Sequence, residues 1–103
     1  MPNLTVSIPH QLSREEARRR VEELVADLLR DYGGMATRVQ QSWSGDTLNF
    51  DVGAMGMSVS GHVDVEDQLV RLEAAIPFAL AMLAGNMREK IEQEGRKLLS
   101  SAG

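Results

Sequence analysis

Leu4, Val6 and Ile8 alternate with Asn3, Thr5 and Ser7, the period of two expected of a half-buried strand, and Pro9 closes it. The period then lengthens. Ser13 opens a helix, its hydroxyl placed to accept from the Glu16 amide while the Glu16 carboxylate reaches back to the Ser13 amide, and Leu12 and Ala17 staple the entry. Ala17, Val21, Leu24, Val25, Leu28 and Tyr32 form one apolar stripe along it, and Gly33-Gly34 stops it.

From Met35 the period returns to two. Val39 and Trp43 lie on one side of a second strand, with Arg38, Gln40 and Ser42 on the other. Ser44-Gly45-Asp46 is turn chemistry, and Leu48, Phe50 and Val52 alternate with Asn49 and Asp51 in a third strand, so the pair reads as a hairpin. Gly53-Ala54-Met55-Gly56 turns the chain again. A fourth strand points Met57, Val59, Gly61, Val63 and Val65 inward and Ser58, Ser60, His62 and Asp64 outward. Glu66-Asp67-Gln68 then leads into a fifth, with Val70, Leu72, Ala74 and Ile76 alternating with Arg71, Glu73 and Ala75.

Pro77 stands where a helix tolerates proline, at its first turn, and a spacing near 3.6 runs through Leu80, Leu83, Ala84, Met87, Ile91 and Leu98. Gly85 and Gly95 each cost about 1 kcal/mol of helix propensity, which predicts a bend or fraying after Glu94. The element order is β-α-β-β-β-β-α. Each strand carries one polar face, so a five-stranded antiparallel sheet with both helices on its apolar face is expected, a two-layer α+β domain spanning residues 1–103. The outline resembles a reduced helix-grip fold.

Composition narrows the function. A chain of 103 residues holds one core, and zero cysteines leave no disulfide, thiolate metal site or cysteine nucleophile, which suits a reducing compartment; the cytoplasm is expected. Met1 to Thr5 shows neither the basic nor the apolar region of a secretory signal. The longest nearly apolar run, 74–85, contains Pro77 and is far short of the roughly 20 residues of a membrane span. A formal charge of −4 opposes phosphate, so no nucleic-acid partner is expected.

Candidate chemistry is sparse. His62 and Asp64 share a sheet face two residues apart, an acid–base pair in principle, but the face is open and no serine is set as a nucleophile, so a solvated polar pair is the expectation. His10 falls between Pro9 and the helix cap and reads as a loop or capping-region residue. Two unrelated histidines, and Asp64, Glu66 and Asp67 without a calcium-loop spacing, predict no metal and no cofactor. In Arg18-Arg19-Arg20, Glu15 precedes Arg19 by four and Glu16 precedes Arg20 by four, which reads as a locally compensated, solvated helix face.

One stretch departs from simple amphipathicity. Phe78 to Ala84 is apolar on every side, and at 100° per residue Phe78 and Met82 fall opposite the core side marked by Leu80, Ala84 and Met87. They are the predicted partner-binding residues, unless Met35, Met55 or Met57 cover them. Burial of each would contribute about 1.5 to 3 kcal/mol, so a partner surface, a homodimer or an apolar ligand could use them.

Leu4-Thr5-Val6-Ser7-Ile8-Pro9-His10, Glu16-Ala17, Trp43-Ser44-Gly45-Asp46, Phe50, Gly56, Gly61, Leu72 and Ile76-Pro77 resemble the polyhydroxyalkanoic acid system protein family over nearly the whole chain. The resemblance implies bacterial polyester storage and a polymer granule or granule protein as partner, and it brings no catalytic residue. The chain lacks the long amphipathic helices of an abundant coat protein, so an accessory or regulatory binder is implied. Three function classes follow. The first is an interaction module docking through the second helix on a granule, a granule protein or a homodimer partner. The second is a carrier holding an apolar molecule between the sheet and that helix, lined by Trp43, Phe50, Met57 and Met87. The third, an enzyme acting on acyl chains, lacks a nucleophile constellation.

Overall fold

A computed structural model describes residues 3–32, 34, 36–54 and 56–100. Gly33, Met35 and Met55, on which parts of the sequence reading fall, lie outside that set, as do the side chains of Tyr32, Ala54, Leu83 and Ala84. Five strands, β1 (Asn3–Pro9), β2 (Ala36–Ser44), β3 (Thr47–Ala54), β4 (Met57–Val65) and β5 (Leu69–Ala75), accompany two α-helices, α1 (Arg14–Tyr32) and α2 (Ala84–Leu99). The sheet is open and wholly antiparallel, in the order β1-β5-β4-β3-β2. The last four strands form a meander, and β1 closes onto β5, with α1 carrying the chain from one edge of the sheet to the other.

The register fixes which side chains share a face. Val6 opposes Leu72, Leu72 opposes Val63, Val63 opposes Leu48 and Leu48 opposes Trp43. Cross-strand partners point the same way, so one apolar face runs across all five strands. Its buried members join Ala17 and Val21 of α1 and Ile91 and Leu99 of α2 in a single core. Leu48, Ile76, Val6 and Val21 are its largest fully enclosed side chains, each contributing roughly 1.5 to 3 kcal/mol by leaving water.

Local signals acted as the sequence suggests, with three differences. Pro9 closes β1 as its last residue, opposite Leu69, where an edge strand has one row of backbone groups that needs no partner. β3 runs on to Ala54, so only Met55 and Gly56 separate it from β4, and Gly56 takes a φ of +76°, where a glycine is favoured. Residues 78–83 form a 3-10 helix, opened by the Leu80 amide donating to the Pro77 carbonyl at 2.9 Å, and the α-helix begins only at Ala84. Finally, α2 continues through Gly95 to Leu99 without breaking. A Cβ at Gly95 would stand 2.2 Å from Ile8 Cδ1, so the glycine lets α2 settle onto β1.

The entry to α1 carries half of the expected capping box. The Glu16 amide donates to Ser13 Oγ at 3.1 Å, while the Glu16 carboxylate accepts from the guanidinium groups of Arg19 and Arg20. Those pairs hold Glu16 at about 2, well below its ordinary 4.5, Arg19 being the larger cause and Arg20 the next. The arginine run is therefore more than a solvated face. Arg20 Nη1 donates to the carbonyls of Leu98 and Ser100, both at 2.9 Å, satisfying the end of α2, and Arg18 stacks 4.5 Å over the Trp43 ring.

Candidate functional site

Three large apolar side chains stand exposed among the described residues: Val39 at 41%, Phe78 at 76% and Met82 at 92%. The last two belong to the 3-10 helix. With three residues per turn, its side chains form three ridges, 120° apart. Leu80 lies on the ridge that packs partly against the core, Phe78 heads the second, and Ala79 and Met82 share the third. Phe78 and Met82 thus reach solvent from two neighbouring ridges and not, as an α-helical period would have it, from one side of a helix. The core claims one ridge in three, and a segment apolar all round must show the others. Met57, expected as a cover, is half-buried in β4 and leaves both exposed.

A shallow groove of about 340 Å³ lies along the other flank of the helical layer. Glu22, Val25, Ala26 and Leu29 of α1 form one wall, and Gln41, Ser42, Trp43 and Leu48 form the floor and far side. The groove lies between α1 and β2, and at its Trp43 end Arg18 of α1 stacks over the indole ring. Of the four side chains expected in a pocket beneath the second helix, Trp43 alone lines this groove; Phe50 and Trp43 share the apolar sheet face, Met57 lies at the far end of β4, and Met87 sits half-buried on α2. Sequence reasoning passed over Ala26 and Leu29. Their signal was present in Val25 and Leu29 at a spacing of four, which widens the stripe of α1 beyond one face.

The opposite sheet face is polar. His62 Nε2 lies 3.4 Å from Asp64 Oδ2 and 3.9 Å from Glu73 Oε2, while Arg71 stands 3.1 Å from Glu66 and 3.6 Å from Glu73. Thr47 Oγ1 donates to Asp64 Oδ1 at 2.7 Å. This lattice ties β3, β4 and β5 together, and both histidine neighbours are shared with Arg71. His10, by contrast, is buried. Leu12 N–H donates to its Nδ1 at 3.0 Å, which leaves the proton on Nε2, and Nε2 donates to the Glu66 carbonyl at 2.8 Å. The ring pins the β1–α1 loop to the β4–β5 turn. Among the described residues no group of three or more His, Cys, Asp or Glu side chains could hold a metal ion, and no helix is long and apolar enough to cross a membrane.

Residues 4–99 match a family model described as "Putative polyhydroxyalkanoic acid system protein". Among solved structures the chain is similar to the crystal structure of TTHA0849 from Thermus thermophilus, at 14% identity, with 95% of this chain and 92% of that one covered and a TM-score of 0.37. No curated protein matches it.

Proposed function

The chain belongs to the polyhydroxyalkanoic acid system protein family, and on that premise we propose that it is a non-catalytic accessory or regulatory binding protein of bacterial polyester storage, acting in the cytoplasm and docking through Phe78 and Met82. The exposure of these two side chains carries the reading. A storage granule is a hydrophobic polymer inclusion, and its surface asks no hydrogen-bond register of what adheres to it. Two apolar side chains on adjacent ridges, with Ala79 between them, suit such a surface. Removing each from water contributes about 1.5 to 3 kcal/mol, equivalent to at least tenfold in affinity per residue.

The carrier alternative calls for a pocket between the sheet and α2. The groove that holds Trp43 lies beside α1, and a second depression, lined by Pro9, Leu12, Asp67 and Leu99 among others, holds none of the four side chains, so the docking reading is the better supported.

Cosedimentation with isolated granules tests the proposal, comparing native granules with protein-stripped polymer. The Phe78→Ser, Met82→Ser double variant should keep the wild-type unfolding midpoint and lose at least a hundredfold in affinity for both. Unchanged binding would overturn the proposal, and so would unfolding, which would make the two residues core. Binding to native granules alone would identify a granule protein as the partner.

A further inference from the structure

We propose that β2 pairs with the β2 of a second copy, so that two chains share one continuous ten-stranded sheet about a twofold axis through Gln41. The two edges of the sheet are treated differently. On β1, Arg88 Nη2 donates to the Thr5 carbonyl at 2.8 Å and Pro9 removes a donor, which are devices that block edge pairing. At the other edge β2 is nine residues long, contains no proline, is exposed over most of its length and has no strand beyond it among the described residues. Its one charge, Arg38, is already turned to Asp51 of β3 at 2.8 Å.

The backbone decides which groups are on offer. Ser44 and Thr47 flank a two-residue turn whose first residue, Gly45, has a φ of +62°, so they form a hydrogen-bonded pair. Alternation along an antiparallel ladder then turns Arg38, Gln40 and Ser42 toward β3, and directs the N–H and C=O groups of Val39, Gln41 and Trp43 outward. Those same three residues point their side chains to the apolar face, opposite Val52, Phe50 and Leu48.

Symmetry and shape select the occupant and the register. An edge-to-edge twofold axis perpendicular to the sheet brings like faces together, so apolar-face residues meet apolar-face residues. The register shift between Ala36 and Arg38 limits regular pairing to residues 38–44, and that run pairs completely with its own copy only when Gln41 opposes Gln41. In that register Val39 opposes Trp43 of the second copy, an aromatic and β-branched pair, and Arg38 opposes Ser44, so no like charges meet. Three hydrogen-bonded pairs form, each exchanging two bonds. Val39, exposed at 41% in one copy, gains a cover, and the grooves beside each α1 face one another across the axis. An unrelated partner has no such reason to match the length, parity and charge of this strand.

The test is the mass of the full chain in solution. Sedimentation equilibrium across the micromolar range should return twice 11.3 kDa for the wild type. Val39→Lys should halve that mass with an unchanged circular dichroism spectrum. Gln41→Pro should do the same, since its amide is directed away from β3. Phe78→Ser with Met82→Ser should stay dimeric, which separates this interface from granule docking. In this cysteine-free chain, Gln41→Cys should oxidise to a covalent dimer in high yield, and Gln40→Cys should not. A monomeric wild type, or a Val39→Lys variant that stays dimeric, would overturn the pairing; cross-linking at Gln40 in place of Gln41 would overturn the register.

Discussion

Gly95 of α2 lies so close to Ile8 of β1 that a Cβ on the glycine would come within 2.2 Å of the isoleucine Cδ1, while the nearest atom of Leu24 would be 3.7 Å away. One methyl group therefore sets how near the helix approaches the sheet. Gly95→Ala gains about 1 kcal/mol of helix propensity and forces Ile8 from its place in the core, a displacement that costs roughly 1 to 3 kcal/mol. The single change should destabilise by about 1 kcal/mol in urea titration. Ile8→Val removes the obstructing atom at a cost of about 1 kcal/mol, and in that background Gly95→Ala should be neutral or stabilising. Additive effects would show that the contact does not limit the approach.

Gly61 poses the opposite problem. A Cβ there would meet the Glu73 carbonyl oxygen at 2.1 Å, the Ala74 Cα at 2.8 Å and the Phe50 ring at 2.9 Å. Two of these atoms are backbone of the neighbouring strand, which cannot rotate away. Gly61→Ala should cost about 3 kcal/mol or more, the upper end of overpacking, and no single side-chain truncation should rescue it. Full recovery in a Phe50→Leu background would mean that the ring alone is the obstacle.

Stability in acid should follow Glu16. Its folded-state value of about 2 lies below the ordinary 4.5, so the unfolded chain takes up the proton first as pH falls. The stabilisation from its pairs with Arg19 and Arg20 is fully present above about 4.5 and disappears as pH approaches 2. Urea midpoints measured from neutral pH down to about 2 should decline through that window, and Glu16→Gln should flatten the decline. An identical decline in the variant would place the acid-sensitive group elsewhere.

The two histidines should behave differently. His62 is half-exposed on an open face, and His62→Ala should leave stability within about 0.5 kcal/mol and granule binding unchanged. His10→Ala strips the Leu12 amide and the Glu66 carbonyl of their partner in a buried site, at a cost of about 1 to 3 kcal/mol. Loss of function in folded His62→Ala would restore an acid–base role for that residue.

Strand alternation, the Ser13 cap and the turn residues were legible because each depends on neighbours within a few positions. That is why β4, with Met57, Val59, Val63 and Val65 toward the core side, reads directly from the chain. Exposure of Phe78 and Met82 was also legible, though for the wrong period. The sequence shows an apolar segment that cannot bury all its sides, whereas the choice between α and 3-10 winding depends on how residues 78–83 join β5 to α2. The site along β2 was less visible. Val39 and Trp43 announce an apolar face, but nothing in their spacing says that a groove will open between that face and α1.

Local chemistry, then, determined the element types, the strand polarity and the composition of the apolar face, since periodicity and capping act over one or two turns. Tertiary structure decided what those elements meet. Gly95 reads as a helix breaker until Ile8 is found beneath it, Arg20 reads as a solvated charge until the carbonyls of Leu98 and Ser100 are found at its tip, and His10 reads as a loop or capping-region residue until the Glu66 carbonyl arrives from 56 positions away. In each case the partner is distant in sequence, and only packing two helices onto a sheet of this strand order brings the two into contact.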